Sequence, residues 1–101
     1  MYAVVRNFTG APTLGDELKK RSKEVESAIS TVPGFMTYFL LKTSDGIASF
    51  TVCESQASCD ESTKRATAWL RENLPQLKVG PPQIITGEVA IKFATQKSTI
   101  A

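Results

Sequence analysis

Hydrophobic positions change period along this chain. Residues 2–9 (YAVVRNFT) are strand-like, with five apolar residues in the first seven and two polar ones, Arg6 and Asn7, side by side. Successive strand residues point to opposite faces, so that pair predicts one polar group on each side of a sheet. Gly10-Ala11-Pro12-Thr13 carries turn chemistry. From Leu14 the apolar residues Leu14, Leu18, Val25, Ile29 and Val32 recur every three, four or seven positions with charges between them. That spacing predicts an amphipathic helix of about five turns, stopped by Pro33-Gly34. Residues 35–43 (FMTYFLLKT) and 47–54 (IASFTVCE) read as strands joined by a hairpin at Ser44-Asp45-Gly46. Ser55, Ser58 and Asp60 are candidate N-caps of a second helix, with Cys59, Thr63, Ala66, Leu70 and Leu74 inward, Trp69 at the edge and Pro75 at the end. Residues 84–93 (IITGEVAIKF) predict a fourth strand, with Gly87 as a bulge or close approach.

The order β-α-β-β-α-β is the ferredoxin-like, split βαβ arrangement. It predicts an α+β fold: a four-stranded antiparallel sheet with two helices on one face, a single domain over residues 1–94 and a polar C-terminal tail over 95–101. Such a sheet is expected to be apolar toward its helices and polar on the other side. These strands break that rule. In the second, Phe35, Phe39 and Leu41 oppose Met36, Tyr38 and Leu40; in the fourth, Ile85, Val89, Ile91 and Phe93 oppose Ile84 and Ala90. An uncovered apolar face marks a contact surface, and the economical cover is the same face of a second copy, a homodimer.

Composition narrows the chemistry. The net charge of +2 is small and the charges are interspersed, which argues against nucleic acid and anionic membranes as partners. An RNA-recognition strand needs aromatic stacking positions, and the corresponding stretch, Asp45 to Val52, holds Ile47, Ser49 and Val52 there. No apolar run reaches the length of a membrane span, and the N-terminus has no secretory pattern, so a cytoplasmic location is expected. The chain contains no histidine. That removes His-dependent triads, an axial His for haem, most catalytic zinc sites and the usual acid/base at physiological pH; no metal or cofactor is expected. Cys53 and Cys59 match no metal or redox spacing and read as small buried hydrophobes. Trp69 reads as a packing residue or as the wall of a pocket between the second helix and the sheet. Asn7, Thr37, Tyr38, Ser49, Thr51 and Arg6 are the polar groups on strands that would line such a pocket.

The element order, the two-faced strands and the length resemble the dimeric α/β-barrel superfamily over residues 1–94, and within it the antibiotic-biosynthesis-monooxygenase-like group. The segment ESTKRATAWLRENLP (residues 61–75) looks like that of small bacterial members without assigned activity. The resemblance implies a homodimer whose sheets form a barrel, with a cleft in each subunit between sheet and helices. In oxygenase members an Asn on the first strand and a Trp on the second helix line that cleft, and no metal or flavin is needed. Asn7 and Trp69 match these in type and approximate place, which makes them the candidate catalytic pair. Arg6, Tyr38, Thr37, Ser49 and Thr51 are then the candidate substrate-binding set, with Arg6 or Tyr38 available to stabilise negative charge. The haem-degrading branch also has a His on the second helix, which this chain lacks. Three readings stand open: a small-molecule-binding protein without assigned chemistry, a cofactor-independent monooxygenase acting on a quinol- or phenol-type aromatic, and a non-catalytic dimeric interaction module. Whether the protein is an enzyme is left open by the residues, as is the identity of a small aromatic ligand. The facing expected of the opening pair is Asn7 toward the helix-side cleft and Arg6 toward the barrel or its rim.

Overall fold

A computed structural model describes residues 1–95. Its elements are β1 (Tyr2–Phe8), α1 (Leu14–Lys20), α2 (Ser22–Ser30), β2 (Phe35–Thr43), β3 (Gly46–Cys53), α3 (Gln56–Asn73), a short 3-10 turn (Pro75–Leu77) and β4 (Gln83–Glu88). The four strands form one antiparallel sheet in the order β2-β3-β1-β4. This is the ferredoxin-like arrangement expected from the sequence, with three departures.

First, the long helix predicted from Leu14 is two helices. The chain breaks at Arg21 (φ −114°, ψ 31°). There the Arg21 guanidinium pairs with Glu24 at 2.7 Å, donates to the Asn73 carbonyl at 3.2 Å and lies 5.0 Å from the centre of the Trp69 ring. Arg21 thus ties the break to the C-terminal end of α3, where a cation also meets the helix dipole favourably. Second, β4 ends at Glu88 and not at residue 93. Among the described residues its only neighbour is β1, and β1 runs out where Tyr2 faces Glu88; one further bond, from Val89 N–H to the Met1 carbonyl, closes the pairing. Ile91 and Phe93 follow, 75% and 89% exposed. Third, the bulge lies in β2 between Phe35 and Thr37, while Gly87 sits in regular register opposite Ala3. The bulge turns Phe35 onto the same face as Tyr38, against the strict alternation expected. The tail expected over 95–101 falls, after Thr95, outside the described residues.

Local chemistry accounts for the rest. Ser55 caps α3, accepting from the Ser58 N–H at 3.1 Å and satisfying one of the helix's free donors. Asp45 holds the start of the loop after β1 through the Gly10 N–H at 2.9 Å. Gly46 opens β3 directly beneath β1, where a Cβ would sit 1.9 Å from the Phe8 carbonyl oxygen.

The core lies between the sheet and the helices, in two parts. The larger part gathers Phe8, Ala11, Leu14, Leu18, Ile47, Leu70 and Leu74; the smaller gathers Val4, Cys53 and Cys59, with Tyr2 against them. Arg6 lies on β1 between Val4 and Phe8, and so between the two parts.

The close approach at Gly46 yields a test. Gly46→Ala forces a methyl group against the β1 backbone and is expected to cost about 3 kcal/mol in urea unfolding. Gly87→Ala, where the space is open, changes stability by less than about 0.5 kcal/mol.

Candidate functional site

Which face each side chain takes follows from burial and register. Val4, Arg6 and Phe8 are buried, and Arg6 touches α3, so even-numbered β1 residues face the helices. Across the strand, Arg6 pairs with Ser49 and Val4 with Thr51, so Ile47, Ser49, Thr51 and Cys53 share that side. Tyr38 pairs with Thr51 and Leu40 with Ser49, placing both on the helix side of β2. Asn7, opposite Ala48, faces away from the helices, and so does Thr37, opposite Val52. The expected facing of Arg6 and Asn7 is therefore reversed.

The reason is the guanidinium's need for partners. Arg6 is fully buried, and taking an unpaired charge out of water costs several kcal/mol. The helix side supplies a cage of hydroxyls. Arg6 donates from Nε to Ser49 Oγ at 3.0 Å, from Nη1 to Ser62 Oγ at 3.0 Å and Thr63 Oγ1 at 2.9 Å, and from Nη2 to Thr51 Oγ1. These bonds use four of the five guanidinium hydrogens. Ser62 in turn donates to the Cys59 carbonyl at 2.6 Å. All four acceptors are neutral. Burial pulls the Arg6 pKa down, and the nearby Tyr38, Cys59 and Cys53 pull the other way. Tyr38 is pushed up by burial and pulled back by the Arg6 charge and by Ser49.

Beside this cage a small apolar hollow of about 30 Å³ lies between sheet and helices, walled by Phe8, Leu18, Tyr38, Ile47, Ser49 and Trp69, among others. It adjoins a cleft of about 850 Å³ between α1–α2 and β2. The two share Leu18, Val25, Ile29 and Tyr38, so Tyr38 is the one polar side chain common to both. Lys19, Glu26 and Lys42 line the larger cleft, and Lys42 is bridged to Asp16 at 2.9 Å.

The sequence-derived candidates thus separate. Arg6, Ser49, Thr51, Tyr38 and Trp69 gather on the helix side. Asn7 and Thr37 lie on the open face, so Asn7 and Trp69 do not line a common cavity. Thr51 sits behind Arg6 and is fully buried. Ser62 and Thr63 were not singled out as site residues. The available signal was two adjacent hydroxyls at the inward stripe of α3, level with an arginine on β1. Among the described residues no group of three or more His, Cys, Asp or Glu side chains is placed to hold a metal ion. No helix there is long and apolar enough to cross a membrane.

No protein-family model matches this chain, and no curated protein matches its sequence. Its fold does match solved structures. One is a mutant of MhuD, with two manganese protoporphyrin IX molecules bound per active site: 18% identity, covering 94% of this chain and 100% of that one, TM-score 0.69; MhuD is a heme-degrader from Mycobacterium tuberculosis. A protein of unknown function from Nitrosomonas europaea is 15% identical over 93% of each chain, with TM-score 0.68. The ActVA-Orf6 monooxygenase of Streptomyces coelicolor, in complex with nanaomycin D, is 24% identical over 94% of this chain and 91% of that one, with TM-score 0.62. The chain shares their fold. That agrees with the resemblance to antibiotic-biosynthesis-monooxygenase-like proteins drawn from its sequence. Among these neighbours are heme-degrading, monooxygenase and unassigned proteins, and at these identities their chemistry does not transfer.

The cysteines give a pH prediction. Cys53 and Cys59 are both fully buried free thiols. Burial first, and then the neighbouring Cys59, push the Cys53 thiol from its usual 9.0 up to about 11. Between those values the folded protein keeps a proton that the unfolded chain releases, so raising the pH favours unfolding. Stability measured by urea is expected to fall as the pH rises from about 9 toward about 11. Cys53→Ala removes part of that slope; an identical slope in the variant contradicts the assignment.

Proposed function

We propose that this protein is a homodimeric small-molecule-binding protein whose ligand occupies the cleft between α1–α2 and β2. The observation that carries the reading is the cleft itself. Its volume of about 850 Å³ lies in the range of small-molecule sites, and its lining is largely apolar with a few placed polar groups, as such sites require. Folds of this kind holding protoporphyrin or nanaomycin D support the reading by analogy of fold only. The break at Arg21 contributes to the shape, because Leu18 from α1 and Val25 and Ile29 from α2 all line the cleft.

Ligand binding without chemistry is favoured over oxygenase catalysis. The oxygenase reading relied on Asn7 and Trp69 acting on one substrate, and those side chains lie on opposite sides of the sheet. The interaction-module reading gains nothing specific, since the open sheet face is accounted for by a second copy of the chain. That face carries the stacked rings of Phe39 and Phe50, 4.7 Å apart, with Val5, Ala48, Val52 and Ile85 around them. Ile85 is 72% exposed in the single chain, and joining two such faces buries it.

Two measurements test the proposal. The neutral dye N-phenyl-1-naphthylamine is expected to bind and quench Trp69, and Val25→Glu, which puts a charge into the lining, to weaken that binding at least ten-fold while leaving the circular dichroism spectrum unchanged. Unaltered binding places the ligand elsewhere. In light scattering the protein is expected at twice the chain mass, and Ile85→Lys to shift it to the monomer. A monomer in the unaltered protein at micromolar concentration contradicts the dimer.

A further inference from the structure

The buried arginine has a consequence for what the cleft accepts. Its four partners are neutral hydroxyls. The charge is therefore solvated by dipoles and not cancelled, leaving a permanent positive centre inside a low-dielectric core. Two of the groups around it lead outward. Ser49 accepts from Arg6 at 3.0 Å, so the serine's own hydrogen is available as a donor; without a ligand it is directed at Tyr38, and an acid group between the two takes it over. Ser49 also walls the small hollow. Tyr38 lies within the influence of the Arg6 charge and walls both the hollow and the large cleft. The hollow, at about 30 Å³, has room for about two water-sized groups, which is the space the two oxygens of a carboxylate need. Everything else around it is apolar: Phe8, Leu18, Ile47, Trp69 and their neighbours.

We infer that the ligand is an amphipathic carboxylate whose acid group enters the hollow and accepts hydrogen bonds from Tyr38 and Ser49, while its apolar body fills the cleft. This rests on the cleft being the ligand site. Tyr38 and Ser49 contact the acid group. Arg6 is a positioning residue: it fixes Ser49 and supplies the positive potential, without touching the ligand. A bond to an ionised acceptor is stronger than one between neutral groups, and here the ligand's charge also compensates one the fold has already buried. The lysines at the cleft, Lys19 and Lys42, favour the approach of an anion but are solvated. The charged and titratable groups around Arg6 are Tyr38 from β2, Cys53 from β3 and Cys59 from α3, and none is an anion at neutral pH.

The test uses the unaltered 101-residue chain, with octanoate and 1-octanol competing against N-phenyl-1-naphthylamine at about pH 7. Octanoate is expected to displace the dye at least ten-fold more effectively than 1-octanol. Tyr38→Phe removes most of that preference and leaves 1-octanol unchanged, and Ser49→Ala reduces it several-fold. The double variant Lys19→Gln, Lys42→Gln keeps more than half of it. Arg6 variants would leave four buried hydroxyls without their donor and are expected to lose stability, so Tyr38 and Ser49 carry the result. If octanoate has no advantage, or if the lysine variant and not Tyr38→Phe abolishes it, the inference is overturned while the cleft remains the ligand site. If the dye itself does not report on the cleft, both readings fall together.

Discussion

A guanidinium sealed inside a chain of about a hundred residues constrains everything around it. Arg6 is fully buried, and the cost of removing its charge from water is met only by hydrogen bonds delivered in the right directions. Its planar fork dictates where those acceptors stand. Ser49 and Thr51 come from one neighbouring strand, two residues apart and therefore on one face; Ser62 and Thr63 come from the helix that crosses above. The arginine thereby fixes how α3 sits over β1 and β3. A wholly apolar layer at this level would pack in many nearly equivalent ways, whereas four directed bonds admit few. The division of the core into two apolar parts, one around Leu14 and Ile47 and one around Cys53 and Cys59, is the geometric result.

The opposite face of the sheet follows a different logic. Its residues are apolar without being covered by any described element of the chain, and Asn7 and Thr37 lie among them. On the helix side a polar side chain is held by a complete set of partners; on the open side it is half exposed and meets water or a second subunit. Both faces of the sheet are therefore apolar with polar inclusions, and only the helix side completes them within one chain.

That symmetry explains how much of the molecule was legible. The element order was readable because helix and strand periods differ sharply, and Ser55 stood out as a cap because serine before an amphipathic stretch has a local reason to be there. The opposed facing of Arg6 and Asn7 was readable from the period of two. Which of them turned inward was not, because Val4 and Phe8 on one side and Ala3 and Val5 on the other offer comparable apolar companions. The decision was made by tertiary partners: hydroxyls on β3 brought opposite Arg6 by a register no local signal declares, and hydroxyls on α3 more than fifty residues away. The helix break at Arg21 was hidden for the same reason. Leu14, Leu18, Val25 and Ile29 keep helical spacing across it, and what bends the chain is a contact with Trp69 and Asn73. The end of β4 depended on where β1 stops, which its own apolar sequence does not encode.

Tryptophan and arginine then take places that the sequence only partly suggested. Trp69, the natural candidate for a substrate platform, is half-buried, with Arg21 over its ring and its edge against a hollow too small for an aromatic ligand. It shapes the end of the cavity by filling space. Arg6, expected toward the barrel or its rim, is instead the buried charge beside the hollow. Lysine could not replace it: an ammonium has three donors on a flexible stem, too few for four hydroxyls held in a plane. Burial lowers the Arg6 pKa, but an arginine starts so high that it stays charged at neutral pH. A group reaching Tyr38 and Ser49 would meet that positive potential, so the residue that orders the core is also the one that, in the proposed site, favours an anion.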